Sequence, residues 1–554
     1  MKRNFIYYIY LVLLVINSIK VFSQEITLKI NSKIDSEKKV LDDLIFIKKH
    51  KDFSSINSEL QKISWYLKVN GYFTNTIDSI TTKNNSTTAF FSLNHKTERA
   101  VLYISDDNKV YFKNHNLKNN FITVPISNLA SILNETSKKL DNEGKSFSKV
   151  SLENISIKKN TLFAVLKIDQ SKKRVISKVI IKDYETFPQS YLKNYFTIYK
   201  NTIFNQKKIK EISLLSRDLE FAKEIKPPEV LFKNDSTFLF LYLKKQQNNS
   251  FDGIINFTSK ENGGVLFNGN LDLKLNNILN TGEVFNLFWN SIGEEKQEFK
   301  ISSITPYIFN SKFSPEISFS IYKQDSTFLN TKFNSKLFYN INQKTKLALT
   351  YNSETSENLE ETLSNNIESF NNYFLGFQLE YNIPKNDFFF NDKFNLNLNP
   401  SIGKRKTKTK SSKQFKIETS ASYIWDLNTR NSFYIRNKTG FLNSDSLIDN
   451  ELFRIGGTNS IRGFNEQSIF TNSYSYFNLE YRYLTSKNSF LYSISDIGKV
   501  IVNNKSKTLY GLGLGYMFNI NNSRVNLGSV LGGNSIKELD INNLQLILSW
   551  KSFF

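Results

Sequence analysis

The sequence predicts a mainly β protein: an antiparallel transmembrane β-barrel of about sixteen strands preceded by three α+β repeats. Three observations predict it. Over roughly the last 300 residues, apolar and polar positions alternate with period two, with asparagine, serine and lysine on the polar face. From Ile26 to about Gln247, a strand–helix–strand–strand pattern recurs three times. No later stretch holds eighteen or more consecutive apolar residues, so a membrane would have to be crossed by strands.

In chain order, the first element is an export signal over residues 1–23. Lys2 and Arg3 form its basic start, Phe5 to Ile16 is almost wholly apolar, and Ser23–Gln24 is a plausible cleavage point. The apolar run is too short for a membrane anchor. The chain has no cysteine, which excludes lipid attachment at a following cysteine, disulfides and thiolate metal sites. The net charge of +22 suits an anionic lipid surface or an acidic client, and equally a lysine- and asparagine-rich compositional habit. An aromatic share of 14%, mostly Phe and Tyr, suits aromatic girdles at membrane interfaces.

The first repeat spans 24–97. Ile56, Leu60, Ile63 and Leu67 mark a helix, Asn70-Gly71 ends it, and strands follow around Ser79–Thr81 and Thr88–Phe91. The second spans 98–172. It opens with the strand Ala100–Ile104, carries a helix striped by Leu129, Leu133, Thr136 and Leu140 that Gly144 closes, and ends in strands around Leu152–Ile157 and Leu162–Leu166. Phe147 follows its helix at a spacing like that of Phe73. The third spans 173–247, with a strand at Val175–Ile181, a helix on Ile209, Ile212, Leu215 and Leu219, a break expected at Pro227-Pro228, and a strand at Phe238–Leu243.

Residues 248–554 form the barrel region. Alternation predicts strands near 251–260, 264–276, 283–291, 297–305, 314–324, 330–342, 345–352, 372–383, 393–401, 415–426, 431–440, 474–484, 489–497, 508–518, 524–531 and 543–554. Phe477, Leu479, Tyr481 and Tyr483 fall on one face, with Asn478, Glu480 and Arg482 on the other. Tyr510, Leu512, Leu514, Tyr516 and Phe518 similarly face away from Gly511, Gly513 and Gly515.

The long interval 443–473 holds Phe453-Arg454-Ile455-Gly456-Gly457-Thr458-Asn459-Ser460-Ile461-Arg462-Gly463-Phe464. An isolated Arg-Gly pair is usually a surface turn. Here it is followed by the strand Tyr476–Leu484 and by Ser495-Asp496-Ile497-Gly498, and the chain ends Trp550-Lys551-Ser552-Phe553-Phe554. With those residues in that order, the sequence resembles the outer-membrane barrel-assembly and translocation superfamily of the BamA/TamA type. Its members carry a (Val/Ile)-Arg-Gly-(Phe/Tyr) loop tip, here Ile461-Arg462-Gly463-Phe464, and tend to end in an aromatic residue, here Phe554. The three repeats look like the POTRA domains of that superfamily, in number closest to the TamA layout; the third lacks the usual Gly-Tyr-Phe-like helix exit.

The resemblance implies that loop 443–473 folds into the lumen, with Gly456, Gly457, Ile461, Arg462, Gly463 and Phe464 as its motif. Glu480 and Asp496 are then the acidic partners of Arg462, and Trp550 and Phe554 a C-terminal barrel signal. If wet, such a pairing is worth about 0–1 kcal/mol; if buried, losing one partner costs about 3–5 kcal/mol. The resemblance further implies a factor that binds unfolded outer-membrane or secreted client proteins and assists their insertion or passage, in outer-membrane lipid and with a possible periplasm-spanning partner protein. Alternatives are a dedicated exporter of one secreted protein and a passive porin. No nucleic-acid partner and no cofactor are assigned. No enzyme is expected: the three histidines, His50, His95 and His115, precede the barrel in unrelated settings, and Glu143-Gly144-Lys145-Ser146 lacks the earlier glycine of a phosphate-binding loop.

Overall fold

The computed structural model describes residues 25–554 apart from 235, 260–264, 293–295, 360–365, 386, 388 and 503–504, and describes side chains outside 254–268 and 292. The expected export signal at 1–23 lies outside the described residues. The chain divides into two units, one reaching to Val175 with Ile203–Lys207, the other comprising Ile176–Thr202 and Lys208–Phe554.

The first unit holds two four-stranded sheets of one design. In the first, Ile26–Asn31 pairs in parallel with Ser86–Ser92, which pairs antiparallel with the outer strand Thr76–Lys83. In the second, Arg99–Ile104 and Thr161–Asp169 form the parallel pair and Lys149–Lys158 lies outside. The helices Phe53–Val69 and Leu129–Asn142 bury the stripes read from the sequence, except that Ile132 is more fully buried than Leu133. Short strands at Lys49–His50 and Phe121–Pro125, absent from the sequence reading, complete the other edge of each sheet.

A third sheet pairs Val175–Lys182 in parallel with Ser236–Lys245, and the outer strand Ala222–Lys233 antiparallel with the latter. Here one expectation fails. The helix ends at Arg217, well before Pro227-Pro228, and those prolines lie inside the outer strand where its register shifts. Proline cannot donate to a ladder, and an irregular outer strand is where a sheet tolerates it.

The barrel comprises β1 (Ser250–Ser259), β2 (Val265–Asn276), β3 (Val284–Ile292), β4 (Lys296–Ile304), β5 (Phe313–Gln324), β6 (Phe328–Asn340), β7 (Thr345–Asn358), β8 (Phe370–Pro384), β9 (Asp392–Thr407), β10 (Ser411–Asp426), β11 (Asn431–Ser444), β12 (Ser473–Ser486), β13 (Ser489–Val502), β14 (Lys505–Ile520), β15 (Ser523–Gly533) and β16 (Gln545–Phe553). Each strand pairs with its neighbour in sequence and β16 returns to β1, closing the cylinder. Pairing of each strand with its neighbours satisfies the backbone groups of the strands between the two closing ones, as lipid requires. Side-chain parity follows the expected two faces: Phe477, Leu479 and Tyr481 are exposed outward, whereas Asn478, Glu480 and Asp496 are buried inside. Among the described residues, no helix is long and apolar enough to cross a membrane.

The third α+β domain is fastened to one end of the barrel, called proximal below. Tyr191 stands edge-on to Tyr307 of the β4–β5 turn, ring centroids 5.0 Å apart. Its ring also covers Gly282 of the β2–β3 turn, whose φ of +83° and lack of space exclude a side chain. Tyr184 accepts a hydrogen bond from Asn277, Lys193 Nζ donates to the Asn310 carbonyl at 3.3 Å, and Gln343 donates to the Tyr195 carbonyl. Burial drives the Tyr191 phenol well above its ordinary acidity range, so it stays neutral. Tyr191→Ala is therefore expected to cost about 3–5 kcal/mol at this joint. Amide exchange across the helix Gln189–Asn194 should accelerate while the barrel strands keep their protection; unchanged exchange would show that the joint is held elsewhere.

Candidate functional site

Loop 445–472 leaves the distal end of β11 and folds back into the lumen. A two-stranded stem, Phe453–Ile455 paired with Ile469–Thr471, carries it inward. At the turn, Gly456 and Gly457 adopt φ of +108° and +98°, conformations open to glycine and strained for other residues. Ser460 N–H donates to the Gly457 carbonyl and Gly457 N–H to the Ile461 carbonyl, which tightens the tip and directs Arg462 at the wall. Ile461 is fully buried against Tyr476, Val500 and Leu509, with Phe464 packed on the same cluster.

Arg462 meets both acidic residues to which the sequence reading assigned it. Its Nε and Nη2 donate to the two oxygens of Asp496 at 2.9 and 2.6 Å, and its Nη1 donates to Glu480 at 2.6 Å. The Arg462 backbone N–H adds a further bond to Asp496 at 2.9 Å. Side-chain exposures of 9%, 10% and 0% for Arg462, Glu480 and Asp496 place the set in the buried regime rather than the wet one. The planar guanidinium fork matches a carboxylate with two parallel bonds, which a lysine cannot do.

Three further parts of the site escaped sequence reasoning. Arg482 donates to Glu480 Oε2 through Nε at 2.8 Å, so this carboxylate is shared by two arginines. Its inward parity two residues after Glu480 was the available signal. Next, the wall beneath the tip is made of glycines. A Cβ at Gly511 would meet the Arg462 carbonyl, and one at Gly532 would meet the backbone of Gly463, itself at φ +88°. Finally, the loop root is clamped at the distal end, where Glu451 takes a charge-assisted bond from Arg405 and another from Gln414 at 2.7 Å. Asn450 beside it donates to Ser356 at 2.7 Å.

The stem reaches the opposite wall. The Arg454 guanidinium lies 3.6 Å from the Tyr322 ring centroid on β5, and Gln467 donates to Glu298 on β4 at 2.6 Å. The loop thus bridges the lumen, and among the described residues its two-stranded stem pairs with no strand of the barrel wall.

The closing seam is short. Among the described residues, β1 and β16 pair over Ser250↔Phe553, Phe251↔Ser552 and Asp252↔Lys551. By contrast, β10 and β11 pair continuously from Gln414↔Ser444 to Asp426↔Ser432. Trp550 is exposed on the outer face of β16, and Phe554 N–H donates to the Asn249 carbonyl at 2.9 Å. At the proximal mouth, a cavity of about 1040 Å³ separates the helix Gln206–Arg217 of the third domain from the barrel rim, with Leu214, Glu220, Lys274, Tyr307, Lys346 and Pro384 on its lining.

Residues 316–518 match a family described as haemolysin secretion/activation protein ShlB/FhaC/HecB. Among solved structures, the chain is similar to CdiB from Acinetobacter baumannii, with a TM-score of 0.52, 14% identity, and coverage of 96% of this chain and 90% of that one. It is similar to CdiB from Escherichia coli, with a TM-score of 0.50, 13% identity, and coverage of 90% and 98%. BamA from Haemophilus ducreyi lacking POTRA domains 1–3 gives a TM-score of 0.47 at 13% identity over 82% and 98%. No curated protein matches the chain. The two CdiB likenesses concern the fold, and the family match lies within the barrel from β5 to β14.

Proposed function

We propose that this chain is the outer-membrane component of a two-partner export system within the outer-membrane barrel-assembly and translocation superfamily, a reading supported by the family match over 316–518. It takes up an unfolded secreted polypeptide at its proximal end, in the periplasm, and passes it through the barrel lumen. The observation that carries this reading is the plug: loop 445–472 crosses the lumen on ion pairs and hydrogen bonds and can leave without breaking a strand pair of the barrel. The family description of the 316–518 match, secretion and activation of a haemolysin, supports export over other tasks of the superfamily.

In this reading the three α+β sheets serve as POTRA-like repeats. Their outer strands, Thr76–Lys83, Lys149–Lys158 and Ala222–Lys233, offer main-chain hydrogen bonds to an extended client with little demand on its sequence. The chain works without a cofactor, and folding of the client outside the cell draws it through. A second reading, insertion of client barrels into the membrane, is favoured by the three-pair seam between β1 and β16.

Deleting residues 25–172 tests the proposal. Export of a secreted polypeptide that depends on this chain is expected to fall by about tenfold or more as the added-strand contacts are lost, while the heat-modifiable barrel remains in the outer membrane. Undiminished export would reduce the chain to a passive pore. Loss of several unrelated barrel proteins from the surface would favour insertion instead.

A further inference from the structure

The lumen wall is polar over most of its surface, yet the inner face of the last strands carries a dry apolar cluster that starts at the proximal end of β13 with Phe490 and runs up to the distal halves of β15 and β16. Phe490, Tyr492 and Ile494 of β13, Val530 of β15 and Ile547 of β16 are all buried there. Apolar side chains lining a wet channel stay exposed unless something covers them. Over Phe490 the cover is supplied by Phe389 and Phe390, which lie between β8 and β9, several strands away round the ring. Phe389 is buried in the cluster, 5.0 Å from the Phe490 ring, and Phe390 lies 5.2 Å from the same ring.

The seat is built for aromatic rings. The Arg482 guanidinium is 4.4 Å from the centroid of Phe390 and 4.0 Å from that of Tyr434, a cation held between two π faces. The same Arg482 bonds Glu480 at 2.7 Å, and Glu480 in turn holds Arg462 at 2.6 Å. The turn and the loop tip are thus in series through one carboxylate. The base of the turn carries the Lys385 N–H bond to the Asn391 carbonyl at 2.8 Å and a partly exposed ion pair, Lys385 with Asp426 at 2.6 Å. Tyr381 and Pro384, which lead into the turn, line the cavity below the third domain.

We propose that the β8–β9 turn is an aromatic gate across the proximal end of the lumen, opened when an aromatic side chain of an entering polypeptide takes the place of Phe389 and Phe390 on the Arg482–Phe490 seat. The occupant rests on the export reading; the seal itself does not. Displacing Phe390 removes one face of the stack on Arg482, and through Glu480 this loosens the hold on Arg462.

Two measurements on the full chain test the gate. In planar bilayers, Phe389→Ser/Phe390→Ser is expected to raise single-channel conductance several-fold over the parent, with the barrel still heat-modifiable. Since the chain has no cysteine, a Phe389→Cys/Phe490→Cys pair can lock the turn in place. Export should fall about tenfold or more when this pair is oxidised and return on reduction. Unchanged conductance in the serine variant overturns the seal. Normal export by the oxidised pair overturns the gate while leaving the export reading intact. If the parent itself exports nothing, the export reading fails, and with it the proposed occupant, while the conductance comparison still decides the seal.

Discussion

Arg462→Ala is expected to release the loop from the wall and to cost about 3–5 kcal/mol, a shift of about a hundredfold or more between docked and released states. The reason is asymmetric loss. Glu480 keeps Arg482, but Asp496 loses both guanidinium bonds and is left with 0% side-chain exposure and no cation. A buried carboxylate without a partner is far more costly than the absence of the pair. Arg462→Ala/Asp496→Asn should therefore regain most of the urea resistance of the barrel without regaining a docked loop. Arg462→Lys should fall between, since an ammonium cannot reproduce the paired bonds. Unfolding midpoints in detergent, with export measured in parallel, check the series. Equal midpoints for parent and Arg462→Ala would mean that the set is wet and worth little.

Gly532→Val should give much the same failure with every charge in place. A side chain there enters the backbone of Gly463, and neither backbone has a flexible end that can yield. Overpacking of this kind costs about 1–3 kcal/mol when the site can adjust; here the adjustment is to lift the tip, which also parts Arg462 from its carboxylates. Gly511→Val acts in the same way through the Arg462 carbonyl. Gly528→Ala is the milder comparison: the nearest atom to its added Cβ is 3.3 Å away, so it asks far less of its surroundings than a side chain at Gly532. Export that survives Gly532→Val while Gly528→Ala destroys it would remove the glycine bed from the account.

The barrel was legible because lipid imposes a rule on each residue. Where a strand lies in the bilayer, every second side chain is apolar, and alternation places all sixteen strands. It misplaces their distal ends. β9 is expected to stop near 401 but continues through Lys404, Arg405 and Lys406 to Thr407, and β7 continues from 352 to Asn358. Beyond the lipid both faces are polar, and the period disappears although the ladder goes on. Arg462, Glu480 and Asp496 were legible through the resemblance of the loop motif to a known family, with strand parity adding support at Glu480. Arg405 and Glu451 were not, because a contact across 46 residues between a strand and a loop root has no periodic trace. The inward glycines were visible as a pattern, but what presses on them was not. Phe389 and Phe390 read as the flank of a strand, since sequence gives no sign that they cover Phe490 on β13.

The central claim is a closed cylinder with a basic loop tip docked inside it. Asn478 on the inner face of β12 donates to the Ser460 carbonyl of the tip at 2.9 Å, and the cysteine-free background permits a clean probe. A Ser460→Cys/Asn478→Cys chain in intact cells should cross-link almost completely with a short bifunctional maleimide and resist a bulky membrane-impermeant thiol reagent. No cross-link, with position 460 fully labelled from outside, would place the tip in solvent and contradict the account.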